Sequence, residues 1–193
     1  MTMAGHGALV LAAGKGTRVG TAKLRLTVGG ETFLRRSVRL LRAAGIVDIV
    51  CVVSLEEAAW AAGEIPDVEI LANRAVTGDM LSSVRLGMGA LSTCRGLLIL
   101  PVDHPCVSER TVLTLLDAGR TDDERVIKPV HNGQAGHPIL LPHSIFRSVL
   151  ESNGKNTLRE IIAASGLSVL HVAVDDPGIL RNINTRDDLS SLA

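Results

Sequence analysis

Apolar positions along this chain come in solid blocks, not in alternation with polar ones. Ala8 to Ala13, Val47 to Val53, Val68 to Ala72 and Leu97 to Val102 are each almost wholly apolar. A strand with one wet face would alternate, so these blocks predict strands buried on both faces. Between them the period changes. Thr32 to Ala44 carries Leu34, Val38 and Leu41 at i, i+4 and i+7, the stripe of a surface helix, and Gly45 ends it. Ser54 to Glu57 reads as a capping box opening a helix that Gly63 and Pro66 close. Met80 to Leu91 reads as a helix weakened by Gly87 and Gly89, each costing about 1 kcal/mol against Ala. Ser108 caps a further helix running to Ala118. This βαβα rhythm predicts an α/β fold, a mainly parallel sheet with helices on both faces.

The last third changes character. Arg125 to Val130 and Ile139 to Leu141 flank a polar segment holding Asn132-Gly133, a hairpin-turn signal. Helices are expected over Ser144–Glu151 and Thr157–Ala164, and a late strand over Ser168–Val174, broken by the turn residues Asp175 to Gly178. Thr185 to Asp188 reads as a capping box opening the terminal helix. No internal repeat, low-complexity tract or linker interrupts the chain, so residues 1–193 are read as one domain.

The candidate chemistry sits where the first block stops. Gly14 and Gly16 let the backbone turn and approach a ligand, and Lys15, Arg18 and Lys23 follow closely. A buried strand opening into a glycine turn with cations suits a polyphosphate, because amide N–H groups and fixed charges can both face its oxygens. The competing reading is a plain turn with solvated Lys and Arg. Two familiar phosphate loops are excluded. A P-loop would need Gly at position 9 and Ser or Thr at 16, where Leu9 and Gly16 stand. The dinucleotide fingerprint would need Gly at 19, which is Val19.

Composition narrows the partners. Twenty basic and twenty acidic residues cancel, so charge points to neither nucleic acid nor a membrane surface. Aromatics are only 2% of the chain, which argues against a base-stacking platform. No run approaches a membrane span and no signal-peptide pattern opens the chain, so a cytoplasmic protein is expected. Cys51, Cys94 and Cys106 share no metal-like spacing and read as buried or idle thiols.

The segment Leu11 to Arg18 (LAAGKGTR) with Lys23 resembles the signature of nucleotidylyltransferases. Asn73, Gly78 to Ser83 (GDMLSS), Leu100 to Pro105 (LPVDHP), Gly136 to Pro138 (GHP) and Asn182 to Leu189 (NINTRDDL) follow in order. Together they resemble the molybdenum-cofactor nucleotidylyltransferases, especially the cytidylyltransferase branch. The resemblance implies a Rossmann-like nucleotidyltransferase fold. It also implies transfer of CMP or GMP from an NTP to the phosphate of molybdopterin or the molybdenum cofactor, with pyrophosphate released. Mg²⁺ is the implied cofactor, CTP or GTP the nucleotide, and a molybdoenzyme or its maturation chaperone the implied protein partner.

Site residues carry over position by position. The resemblance assigns Leu11, Ala12, Ala13, Gly14, Lys15, Gly16, Thr17, Asn73, Gly78, Ser82 and Ser83 to the nucleotide. Lys15 and Arg18 fall to the β- and γ-phosphates, Lys23 to the α-phosphate or attacking phosphate, and Asp103 to the metal with Asn184. Arg18, Lys23 and Asp103 are thus the catalytic candidates. Asp103 also stands out from the pattern alone, as an acid ending an apolar strand. His137 is a candidate for the acceptor, against a structural hydrogen bond; His104 is read as supporting its loop, and His131, His143 and His171 as structural or exposed.

The base is divided between two branches. Ala12-Ala13-Gly14 follows the CTP form, whereas Leu11 and the tail Asn182-Ile183-Asn184 follow the GTP form, and Arg186 replaces a usual Pro. The motifs at 78–83, 101–105 and 136–138 favour CTP. Two other functions stay open: nucleotidyl transfer to another sugar or alcohol phosphate, and non-catalytic delivery of a cofactor.

Overall fold

The computed structural model describes residues 5–14, 21–74, 80–152 and 156–190. Lys15, Gly16, Thr17, Arg18 and Gly78 lie outside them.

Ten strands and seven α-helices are seen among the described residues. The strands are β1 (Gly7–Ala12), β2 (Thr27–Val28), β3 (Glu31–Thr32), β4 (Ile49–Ser54), β5 (Glu69–Asn73) and β6 (Gly96–Pro101). They continue with β7 (Val126–His131), β8 (Gln134–Ala135), β9 (Ile139–Pro142) and β10 (Val169–Ala173). The helices are α1 (Phe33–Ala43), α2 (Ala58–Glu64), α3 (Met80–Ala90), α4 (Glu109–Thr121), α5 (Phe146–Leu150), α6 (Leu158–Ala164) and α7 (Arg186–Ser190). The central sheet runs β10-β7-β9-β6-β1-β4-β5, with β8 on β7. Pairings β1–β4, β1–β6, β4–β5 and β7–β10 are parallel; β9 runs antiparallel to both β6 and β7. The sheet is therefore mixed and mostly parallel.

The solid apolar blocks are explained by burial on two sides. In β1, Ala8, Val10 and Ala12 face one core with α1 and α4, while Leu9 and Leu11 face another with α3, α5 and α6. β4 and β6 divide in the same way, Cys51 and Val53 against Val50 and Val52, Leu98 and Leu100 against Leu97 and Ile99. Helices cover both faces, as the chain's rhythm predicts. No helix among the described residues is long and apolar enough to cross a membrane.

Local signals hold at most boundaries. Thr32 Oγ1 accepts from the Arg35 amide to open α1, and Gly45, at φ +83°, leaves it. Ser108 caps α4, Thr157 and Glu160 form a reciprocal capping box on α6, and Thr185 and Asp188 exchange the same bonds before α7. Asn132 and Gly133 both have positive φ and close a two-residue hairpin. Its second strand is β8, however; Ile139–Pro142 instead threads back between β6 and β7.

Two expectations are corrected. Ser54 makes no side-chain cap, and a 3₁₀ turn over Leu55–Glu57 leads into α2. The Glu57 carboxylate that would complete the box is taken by Arg25 at 2.6 Å, whose guanidinium also lies over the Trp60 ring. The second strand begins at Ile49 and not at Val47, which is 89% exposed.

Candidate active site

The C-terminal ends of β1 and β6 open onto a cleft of about 480 Å³. Its walls are Leu11, Ala13 and Gly14 after β1, Met80 and Ser83 on α3, Pro101 to His104 after β6, Ala135 to His137 after β8, and Ile179, Leu180 and Asn182. Open α/β sheets bind ligands at this edge.

Lys23 sits at the centre of the polar part. Its ammonium lies 2.7 Å from Asp103 Oδ2 and donates a second, short hydrogen bond to Asn184 Oδ1. Both Lys23 and Asp103 side chains are largely shielded, at 17% and 16% exposure. Backbone bonds build the junction: the Val102 amide donates to Leu11 O at 3.0 Å, and the Ile183 amide to Asp103 O at 2.9 Å. The second bond draws the 182–184 segment against β6, across 80 residues of sequence. Asp188 then fixes Asn184 by accepting from its amide at 2.9 Å.

The other Asp103 oxygen is also engaged. His104 Nδ1 lies 2.9 Å from Asp103 Oδ1. Since a carboxylate only accepts, this nitrogen carries the proton. Burial by itself would raise the Asp103 carboxyl, but hydrogen bonds from His104 and Lys23, and the lysine charge, hold it below the ordinary aspartate value. Asp103 is therefore ionised at neutral pH.

His137 is a different kind of histidine. Its ring stands edge-on to His104, with centroids 5.0 Å apart. Its Nδ1 is buried without a hydrogen-bond partner among the described residues. Burial pushes its pKa down to about 4, with the neighbouring His104 and Lys128 adding to the effect and Asp103 opposing it, so the ring is neutral at neutral pH. Gly136 permits this placement: a Cβ there would stand 2.3 Å from Ile179 O. The His137 amide donates to that same carbonyl at 3.0 Å.

The remaining site candidates fall into two groups. Asn73, ending β5, donates from Nδ2 to Ser82 Oγ and Ser83 Oγ at 2.8 Å each, and Ser83 reaches the cleft. Ala12 points into the α1–α4 core, away from the cleft. The sequence reading missed Ile179, Leu180 and Ala135, which carry no polar or spacing signal. It also missed Asp176, read only as a turn residue. Asp176 Oδ2 accepts from the Ser108 amide at 2.8 Å and Thr111 Oγ1 at 2.6 Å, and Oδ1 from the Gly178 amide at 2.8 Å. It ties the 3₁₀ strap Pro177–Leu180, one wall of the cleft, to the first turn of α4. His131 and His143 bond backbone carbonyls, and His171 is exposed. Cys51 and Cys94 are buried free thiols, burial pushing Cys51 up to about 12.

Gly14 just past β1, a lysine and a strand-end aspartate thus meet at the C-terminal edge of a mostly parallel sheet, the edge at which open α/β sheets of the Rossmann type bind ligands. Residues 8–170 match the model of the MobA-like NTP transferase domain, and the chain belongs to that family of nucleotidyltransferases. A probable molybdenum cofactor guanylyltransferase of Opitutus terrae is 33% identical over 100 residues, 51% of this chain and 48% of that protein. The match thus spans about half the length of the curated relative. Rv0371c of Mycobacterium tuberculosis H37Rv superposes with a TM-score of 0.84 at 22% identity, covering 100% of this chain and 98% of that one. Its complex with manganese gives 0.78 at 20%, covering 98% of each. A nucleotidyl transferase from Methanothermobacter thermautotroptrophicus gives 0.81 at 22%, covering 100% and 96%. These likenesses establish the Rossmann-like nucleotidyltransferase fold.

Proposed function

We propose that this chain, acting as one domain over residues 1–193, transfers CMP from a metal-bound NTP to the phosphate of molybdopterin or the molybdenum cofactor, releasing pyrophosphate. The observation that carries this is the Lys23 ammonium, held between Asp103 and Asn184 in the cleft that Ala13 and Gly14 also line. Membership of the MobA-like family and the name of the Opitutus relative support the reaction type and the acceptor.

In this reading an acceptor phosphate oxygen attacks the α-phosphorus. The new P–O bond forms as the bond to the β-phosphate oxygen breaks, and that electron pair leaves with pyrophosphate. A phosphomonoester carries about −1.5 to −2 charge at neutral pH, so no group need remove a proton. With a pKa of about 4, His137 binds a proton too weakly to act as a base at neutral pH, which agrees with chemistry that needs none. Catalysis then rests on positioning and on meeting charge as it develops. Lys23 serves the α-phosphate or attacking phosphate. Lys15 and Arg18 serve the β- and γ-phosphates and the leaving group, with Gly14, Gly16 and Thr17 giving backbone contacts. Leu11, Ala13, Asn73, Gly78, Ser82 and Ser83 shape the nucleoside site. His137 meets the acceptor through its unpartnered Nδ1.

Asp103 and Asn184 fit a divalent cation. Their oxygens converge on one positive group, the Lys23 ammonium, and hard oxygen donors suit Mg²⁺. No three His, Cys, Asp or Glu among the described residues form a metal cage. Mg²⁺ commonly takes only one or two protein groups and completes its shell with phosphates and water. When bound it would neutralise phosphate oxygens; the manganese complex of the mycobacterial protein supports a divalent ion here. The product would pass in the cytoplasm to a molybdoenzyme or its maturation chaperone.

The Ala13 methyl narrows the cleft wall and favours the smaller cytosine. GMP transfer is the second reading, favoured by the guanylyltransferase name of the relative. Pyrophosphate release, measured with each NTP with and without molybdopterin, separates them. Release is expected with CTP, only when molybdopterin is present, and Ala13→Gly is expected to raise kcat/KM for GTP relative to CTP by about ten- to a hundredfold. Release with GTP alone would establish the second reading. Release only with other alcohol phosphates would overturn the acceptor.

A further inference from the structure

The position of Lys23 has a consequence for how the cation site fills. Its ammonium already donates to Asp103 Oδ2 at 2.7 Å and to Asn184 Oδ1. Those are the oxygens assigned above to a divalent ion. An ammonium and a metal ion compete for them, because two cations within a few ångströms of each other repel. Retreat of the Asp103 oxygen is also restricted, because Oδ1 is tied to His104 at 2.9 Å and the chain oxygen of Asp103 accepts from the Ile183 amide. Asn184 is held by Asp188 through its own amide. Lys23 is therefore the most movable partner, carried on a chain of four methylenes, while the Asp103 carboxylate and the Asn184 backbone are each anchored by other bonds.

We propose that Lys23 is an internal counter-ion that keeps the cation site closed until nucleotide phosphates draw its ammonium away. The divalent ion and the nucleotide then enter as a coupled pair. In the protein alone, Lys23 holds Asp103 and Asn184. With the triphosphate present, the ammonium exchanges those oxygens for phosphate oxygens of greater charge. The same side chain is a gate for the metal and a clamp for the nucleotide. This rests on Asp103 and Asn184 being the metal ligands.

The test measures metal binding, not turnover. Free Mn²⁺ is followed by electron paramagnetic resonance while the protein is titrated, first alone and then with a non-hydrolysable CTP analogue. The unmodified protein should bind Mn²⁺ weakly alone and much more tightly with the analogue. Lys23→Met, which keeps the stem and removes the charge, should tighten Mn²⁺ binding in the absence of nucleotide by about tenfold or more. Lys23→Arg, which keeps the charge, should leave it weak. Asp103→Asn should abolish the tight site in every setting. If Lys23→Met binds Mn²⁺ no better than the unmodified protein while Asp103→Asn still removes the nucleotide-dependent site, the gate is overturned and the ligand assignment stands. If Asp103→Asn leaves Mn²⁺ binding intact with the analogue, the ligand assignment itself fails, and the gate with it. Circular dichroism of each variant confirms that a folded protein is being compared.

Discussion

Asp103 shows how one carboxylate is held for its task. One oxygen takes the Lys23 ammonium and the other takes His104 Nδ1, so the plane of the group is set from both sides. His104 is 6% exposed, which keeps water from competing for its bond. Removing this support should act through Asp103. With Asp103 as the proposed metal ligand, His104→Phe is expected to lower kcat/KM by about ten- to a hundredfold, the usual effect of losing an outer partner of such a ligand. His104→Asn can place an N–H near the position of Nδ1 and should recover most of the loss. A Phe variant as active as the unmodified protein, or an Asn variant as poor as the Phe one, would mean that His104 only fills space. The sequence made part of this legible. An acid closing an apolar strand marks Asp103 without any relative, but nothing in the spacing says that Asn184 will lie beside it. That proximity is made by a backbone bond from Ile183 to Asp103, 80 residues back along the chain, and only the resemblance pointed to it.

At the scale of elements, α3 separates two glycines that look alike in sequence. A Cβ on Gly87 would stand 2.3 Å from Leu9 Cδ1 in the middle of β1, whereas a Cβ on Gly89 meets nothing within 4 Å. Gly87 is thus the point where helix and sheet approach most closely, and Gly89 contributes only chain entropy. Gly89→Ala should stabilise the fold by about 0.5–1 kcal/mol. Gly87→Ala should destabilise it by about 1–3 kcal/mol, because Leu9 is fully buried and must shift. Urea midpoints of the two variants check this; equal shifts in one direction would refute it. Propensity alone treats both glycines as defects, since it sees the helix and not the strand beneath. The Ser54 box fails for a related reason: local rules cannot know that Arg25, from another part of the chain, claims Glu57. Where an element's start is set by its own capping residue, as in α1, α4 and α6, the sequence reading and the structure agree, although α4 runs on past Ala118 to Thr121.

For the whole molecule, the informative departure is the return of β9 between β6 and β7, antiparallel to both. It brings the 135–137 segment to the cleft that Ala13 and Gly14 also line and gives that cleft its far wall. A rhythm of apolar blocks predicts parallel neighbours and has no means of showing this reversal. The far wall is locked by Asp176, whose carboxylate joins the 177–180 strap to α4 through three hydrogen bonds. Burial would raise that carboxyl, but the bonds from Thr111, Ser108 and Gly178 outweigh it and hold it below the ordinary 3.8. A carboxyl depressed on folding contributes stability that is fully present above its unfolded value and is lost as pH falls through its native one. Asp176→Asn keeps the shape but cannot accept through both oxygens, and should cost about 1–3 kcal/mol at neutral pH. The penalty should shrink as the pH falls below the ordinary aspartate value of 3.8 and through the lower native one, where the folded aspartate itself becomes protonated. Urea unfolding of both proteins across that range decides the matter. A penalty that stays constant with pH would show that Asp176 acts as a neutral spacer and not as an ionised tether between the 177–180 strap and α4.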